Sequence, residues 1–310
     1  MPQLDGVLFF PVTPFGASGA IDLPAFRAHL ARGLAAGPGG VFVACGTGEF
    51  HALDVAECEA LIRAAVEEVA GAVPVYCGTG GPLPVATRLA RVAESSGADG
   101  LLLLPPYLVS GPPQGLVAYT SAVAAASELP VIVYNRATTR FDESTAVEVA
   151  RIPNVTGFKD GIGDLDSLAR IVKAIRAATH GSGKDFQFFN GMPTAEVTVS
   201  AYRAVGVELY SSAVFCFAPE ISLAFYEAVT TGNAELADRL LGEFFNPLVE
   251  LRDLVPGYAV SLVKAAVTMR GPDVGGVRPP LADPMPEHLE RLREILAAGL
   301  AVVDMPWSAT

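Results

Sequence analysis

The chain has 310 residues, 51% of them hydrophobic, so it can bury a large core, and one barrel domain of roughly 250 residues plus an extension fits that length without a linker. A formal net charge of -12 argues against a nucleic-acid surface, which needs clustered Lys and Arg. The strongest apolar run, Gly100 to Pro106, is far shorter than the roughly 18 residues of a membrane span. No membrane or nucleic-acid partner is therefore expected.

The N-terminus, Met1-Pro2-Gln3-Leu4-Asp5, lacks the basic region and apolar run of a secretory leader, so a cytoplasmic location is expected. Cys45, Cys58, Cys77 and Cys216 show no CxxC spacing, and the histidines form no HExxH. Neither a zinc site nor a disulfide framework is indicated, and buried thiols are expected.

Short apolar runs alternate with longer Ala/Leu/Val-rich stretches carrying spaced charges, the pattern of strands followed by amphipathic helices. Strands are predicted near Gly6 to Pro11, Gly40 to Ala44, Val73 to Cys77, Gly100 to Leu104, Val131 to Tyr134, Val155 to Lys159, Phe186 to Asn190 and Leu209 to Ser211. Helices are predicted over Asp54 to Ala70 and Asp164 to Ala178, with Asp54 and Asp164 as N-caps, and over Gln114 to Ser127 and Thr194 to Val205. A helical tail follows around Ala234 to Val255, Ala259 to Arg270 and Pro286 to Leu300. The expected fold is α/β: a (β/α)8 TIM barrel over 1–220, then the last barrel helix and a helical extension over 221–310, packed as one domain with it.

A doubly wound sheet is the architectural rival. The Gly-rich segments Cys45 to Glu49, Gly78 to Gly81 and Gly161 to Asp164 contain neither GxGxxG nor a GxxxxGK loop, so nucleotide binding has no sequence support. In a barrel these segments fall on the C-terminal rim, where barrel active sites are built.

Only four of the 21 Lys and Arg residues are lysine, and of these only Lys159 ends an apolar strand pattern. Pointed into a barrel mouth, its amine would be desolvated and its pKa lowered, which nucleophilic attack on a carbonyl requires; an ion pair with Asp160 accounts for the position equally well. Tyr134-Asn135-Arg136 ends the preceding strand. Its tyrosine can relay protons to a neighbouring Lys159 or be a packed aromatic, and Arg136 offers a fork for a carboxylate.

The ordered set Phe10-Pro11-Val12-Thr13-Pro14-Phe15, Gly46-Thr47-Gly48-Glu49, Tyr134-Asn135-Arg136, Gly157-Phe158-Lys159-Asp160 and Gly206-Val207 to Ser211-Ser212 resembles the dihydrodipicolinate synthase and N-acetylneuraminate lyase superfamily. The resemblance spans nearly the whole chain. It implies a barrel with a C-terminal helical extension, a Schiff base between Lys159 and a 2-oxo acid, Tyr134 as proton relay, no metal or organic cofactor, and a homotetramer built as a dimer of dimers. Where the synthases carry two adjacent threonines this chain has Gly46 and Thr47, so the relay through the first threonine is missing and synthase chemistry is not expected. Gly46 to Phe50, Asn190 to Glu196 and Ser211 to Phe215 are similar instead to the branch that dehydrates and decarboxylates 5-dehydro-4-deoxyglucarate, a sugar diacid.

On that resemblance the backbone N–H groups of Gly46, Thr47 and Gly48 would hold the carboxylate beside the imine, although a tight turn alone explains the glycines. Asn190, Thr194 and Ser211, at or just after the seventh and eighth strands, would contact the substrate hydroxyls and distal carboxylate, with a helix cap as the other reading of Thr194. Tyr107 is an interface candidate. A different Schiff-base aldolase or synthase, and a non-catalytic 2-oxo-acid-binding barrel, are the alternative functions.

Overall fold

The computed structural model describes residues 4–107 and 109–305; Met1-Pro2-Gln3, read above for a leader, lies outside them. Eight parallel strands close a barrel in sequence order: β1 (Leu8–Phe9), β2 (Gly40–Val43), β3 (Val75–Thr79), β4 (Gly100–Leu103), β5 (Val131–Asn135), β6 (Val155–Asp160), β7 (Gln187–Asn190) and β8 (Leu209–Ser212). Between and after them run α1 (Leu23–Ala35), α2 (Val55–Val69), α3 (Leu83–Ser95), α4 (Pro113–Ala124), α5 (Glu143–Arg151), α6 (Leu165–Thr179), α7 (Val199–Ala204) and α8 (Pro219–Thr231). The tail continues as α9 (Ala234–Leu240), α10 (Asn246–Arg252), α11 (Tyr258–Arg270) and α12 (Pro286–Val302). Among the described residues no helix is long and apolar enough to cross a membrane.

Strand alternation sorts the apolar residues into two sets. Leu102, Ile132, Tyr134 and Phe189 fill the barrel interior together with Phe42 and Tyr76, whose rings stack with centroids 5.0 Å apart. Leu101, Leu103, Val131, Val133, Phe158 and Phe188 face outward against helical residues such as Leu168 and Ile171. The interior cluster is continuous with the tail, running through Phe244 and Leu251 to Leu292 and Leu296.

Asp54 caps α2 in a reciprocal box with Glu57, its carboxylate accepting from Glu57 N at 2.8 Å while Glu57 accepts from Asp54 N at 3.1 Å, and Asp164 caps α6 by accepting from Ser167 N at 3.1 Å. Other expectations shift. β1 is two residues rather than six, because Pro11 has no N–H to extend the ladder, and β3 begins after Pro74 rather than at Val73. The helix predicted over Thr194 to Val205 starts instead with Thr194 in the left-handed region at φ 50°, followed by a 3-10 turn over Ala195–Thr198. The long helix predicted over Ala234 to Val255 is two helices joined by a π turn over Leu241–Phe245, ending at Arg252.

A buried ion pair ties the ends of the chain to the barrel rim. Lys264 in α11 donates to Glu49 Oε1 at 3.0 Å and to Thr13 O at 2.9 Å, while Glu49 Oε2 accepts from Arg278 N at 2.9 Å. Both side chains are almost fully buried, so breaking the pair strands a charge. Lys264→Met is expected to destabilise the fold by about 3 to 5 kcal/mol, and Glu49→Leu added to it to recover much of that loss, read from urea unfolding midpoints.

Candidate active site

β5 and β6 pair with Tyr134 beside Lys159 and Asn135 beside Asp160, and β6 and β7 with Lys159 beside Phe189 and Asp160 beside Asn190. The one-residue step from 159 to 160 reverses the direction of the side chain, and this separates the two charges. Lys159 points into the barrel mouth with 5% of its surface exposed. Asp160 points outward, accepting from Asn135 Nδ2 at 2.7 Å, Tyr202 Oη at 2.6 Å and Gly163 N at 3.1 Å. Lys159 and Asp160 form no ion pair.

Lys159 Nζ lies 4.2 Å from the ring centre of Phe10 and 4.8 Å from that of Tyr134, with no carboxylate bound to it among the described residues. Burial pushes the amine down to about 7. The nearby Cys45 thiol is pushed up to about 12 by its own burial, so it provides no counter-charge at neutral pH. Tyr134 Oη donates to Gly191 O at 2.6 Å and accepts from Arg136 Nη1 at 3.2 Å; burial raises its pKa, with Arg136 opposing.

Two glycines leave the space these side chains occupy. A Cβ on Gly191 would stand 2.7 Å from both Lys159 Cε and Tyr134 Cε2, and one on Gly161 would stand 2.9 Å from Tyr134 Cε2. Gly161 opens the Gly-rich segment after β6 and Gly191 lies in the segment Asn190 to Glu196, but their steric role depends on strands that are brought together only in the fold.

Lys159 opens into a cavity of about 510 Å³. Its lining includes Gly46, Thr47, Tyr107, Tyr134 and Arg136 from the ends of β2, β4 and β5, and Thr194, Ser211, Leu248, Arg252 and the start of α11 from the turn after β7, β8 and the tail. The N–H groups of Gly46, Thr47 and Gly48 donate to no acceptor among the described residues. Gly48 itself is buried behind the lining, and a Cβ there would press on Pro11 O at 3.2 Å. Arg136 has no carboxylate partner among the described residues, and its Nη1 lies 3.7 Å from where a Gly46 Cβ would stand. Tyr107, 47% exposed, sits at the rim.

Asn190, expected among the substrate contacts, faces away from the cavity. Its Nδ2 donates to Ala195 O at 3.2 Å and Thr198 Oγ1 at 2.9 Å, and its Oδ1 accepts from Met192 N at 3.0 Å, so the amide holds the turn after β7. Glu196 in the same segment is also turned away: it accepts from Ser212 Oγ at 2.6 Å, and burial pushes its carboxyl up to about 7. Arg252 and His51 line the cavity and were not singled out by the sequence; Arg252 lies in the helical tail, beyond any strand-end pattern. The ionisable lining side chains are His51, Tyr107, Tyr134, Arg136, Lys159, Arg252 and Tyr258, and among the described residues no Asp or Glu lines the cavity. Among the described residues no group of three or more His, Cys, Asp or Glu side chains is placed to hold a metal ion.

The chain has named relatives. It is 55% identical to a probable 5-dehydro-4-deoxyglucarate dehydratase of Streptomyces griseus subsp. griseus, covering 96% of this chain and 92% of the relative. It is 54% identical to a probable 5-dehydro-4-deoxyglucarate dehydratase 1 of Streptomyces coelicolor, covering 96% and 94%. The crystal structure of dihydrodipicolinate synthase from Agrobacterium tumefaciens superposes with a TM-score of 0.83 at 28% identity, covering 95% of this chain and 98% of that one. Residues 3–299 match the model of the dihydrodipicolinate synthetase family, and the chain belongs to that family.

Proposed function

We infer that the protein is a Schiff-base lyase that converts 5-dehydro-4-deoxyglucarate to 2,5-dioxopentanoate, carbon dioxide and water; its Streptomyces relatives carry the name probable 5-dehydro-4-deoxyglucarate dehydratase. The observation that carries this reading is a buried lysine without an ionic partner, opening into a cavity whose charged lining is basic and free of carboxylates in a chain of net charge -12. Such a cavity suits a dianionic oxo acid.

In this reading the neutral amine of Lys159 attacks the 5-oxo carbon, and loss of water gives the iminium. The Tyr134 hydroxyl, beside Lys159 and polarised by Arg136, moves protons during that step. The carboxylate next to the imine is held by the free N–H groups at Gly46 and Thr47 and by Arg136. The iminium acidifies the C4 protons; loss of one gives an enamine, which expels the C3 hydroxyl. The conjugated iminium then accepts the electron pair released when the far carboxylate leaves as carbon dioxide. Protonation and hydrolysis free the product and Lys159. The covalent lysine serves both bond-breaking steps, so the reading calls for no cofactor.

Borohydride added with the substrate or another 2-oxo acid is expected to fix an adduct on Lys159, and the untreated enzyme to release carbon dioxide from 5-dehydro-4-deoxyglucarate. Condensation of pyruvate with an aldehyde, with no gas from the diacid, would make the protein an aldolase of the same fold; binding without any turnover would make it a receptor. The amine attacks only when neutral, so the rate of adduct formation is expected to rise with pH through about 7 and then level off. A rate still rising toward the ordinary lysine range near roughly 10.4 would show that the lysine is not desolvated in this way. Tyr134→Phe keeps the ring that packs on Lys159 and loses the hydroxyl, so turnover should fall by about 10²-fold or more with an unchanged melting profile.

A further inference from the structure

The helical tail adds a second guanidinium to the cavity lining besides the one that meets Tyr134. Arg252 Nη1 donates to Pro193 O at 3.0 Å and to Thr194 Oγ1 at 2.8 Å, while its Nε and Nη2 are held from the solvent side by Asp253 at 2.8 and 3.2 Å. Because Thr194 Oγ1 accepts from Arg252, its own O–H is left to donate, and it has no acceptor among the described residues. The hydroxyl of Ser211, also on the cavity wall, likewise has none. Thr194 is held at φ 50°, a backbone region unfavourable for a β-branched residue, so its placement depends on its surroundings. The π turn over Leu241–Phe245 resets the helical phase just before α10, and Leu248 and Arg252, four residues apart, then share the face that lines the cavity.

We propose that Arg252 and Thr194 form the recognition site for the distal carboxylate of the substrate. The proposal rests on the diacid reading above and adds to it the residue that selects a diacid over a monoacid. Arg252 provides the counter-charge and orients Thr194 so that its O–H, with that of Ser211, donates to the carboxylate. Arg136 and the Gly46 loop, from the ends of β5 and β2, are assigned to the carboxylate beside the imine, so the two carboxylates are served by different arginines. The distal carboxylate is charged in the bound substrate and departs as neutral carbon dioxide. Arg252 therefore strengthens binding of the ground state without favouring the decarboxylation step.

The test compares the full chain with Arg252→Gln and Arg252→Lys on 5-dehydro-4-deoxyglucarate and on 2-dehydro-3-deoxygluconate, a monoacid carrying a hydroxymethyl group in place of the distal carboxylate. Arg252→Gln is expected to raise KM for the diacid by about 10- to 100-fold while kcat changes by less than about threefold, because the counter-charge is lost and the Thr194 hydroxyl that donates to the charged carboxylate is no longer oriented. Arg252→Lys should recover part of the loss, since it restores the charge without the fork. Borohydride trapping of pyruvate, which carries only the carboxylate beside the imine, reports whether Lys159 and the barrel mouth are intact in each variant. An unchanged KM for the diacid in Arg252→Gln would overturn the proposal, and so would a KM rise matched by an equal loss of pyruvate trapping, which would make Arg252 a strut for the loop. If the unaltered protein fails to turn over the diacid, the dehydratase reading falls and this site falls with it; turnover by the unaltered protein with KM unmoved in the variant removes only the site.

Discussion

A lysine carried into the apolar mouth of a barrel has two ways to exist: with a partner that stays charged beside it, or as a neutral amine. An isolated buried charge costs several kcal/mol even after relaxation, so the choice is forced by what surrounds the nitrogen. This chain uses both solutions. Lys264 meets Glu49 at 3.0 Å and two backbone carbonyls, and although burial pushes its pKa down, Glu49 opposes the shift. Lys159 meets the faces of two aromatic rings and a neutral thiol, and falls to about 7. The first lysine fastens the tail to the rim, and the second is available for chemistry.

The difference is enforced by strand alternation and by hydrogen bonding to the adjacent carboxylate. Asp160 is one residue from Lys159 and would be its natural counter-ion, but it lies on the opposite face of β6 and is engaged by Asn135, Tyr202 and the backbone of Gly163. A single-residue slip of β6 would exchange the two, placing a carboxylate in the cavity and the amine among the helices. The same logic explains Glu196, whose carboxyl is turned into the protein behind β8 rather than toward the cavity. With both acids directed away, an anionic substrate meets a basic pocket despite the acidic surface of the protein.

Features set by local pattern were legible in the sequence. The strand-helix alternation identifies eight strands, and Lys159 stands out because it alone among four lysines ends a strand; the cap at Asp54 is readable from Glu57 three residues on. What escaped depends on distant or non-periodic geometry. Arg252 follows a π turn, where the 3.6-residue period slips, so helical pattern alone cannot show that it faces the cavity. The pairing of Glu49 with Lys264 joins residues on the rim and in the tail, which no local window contains. Asn190 was read as a substrate contact because polar residues at strand ends usually face a barrel mouth; here the turn after β7 needs its amide to satisfy Ala195 O and Met192 N, and that demand decides its direction.

Chemistry and recognition thus occupy different parts of the chain. The residues proposed to form and work the imine stand on β5 and β6, strands fixed on both edges by neighbours, where a shift of about 1 Å would separate Tyr134 from Lys159 or bring either against Gly191. A second stretch of the cavity wall comes from the turn after β7 and from α10 and α11, which contribute Thr194, Leu248, Arg252 and Tyr258. Substitutions on that wall can alter the shape and charge presented to the substrate without disturbing the register of β5 and β6. A barrel fold does not by itself determine a substrate. On the proposed reading the tail contributes to that choice, because α10 and α11 bring Arg252 and Tyr258 to the same cavity that Lys159 enters.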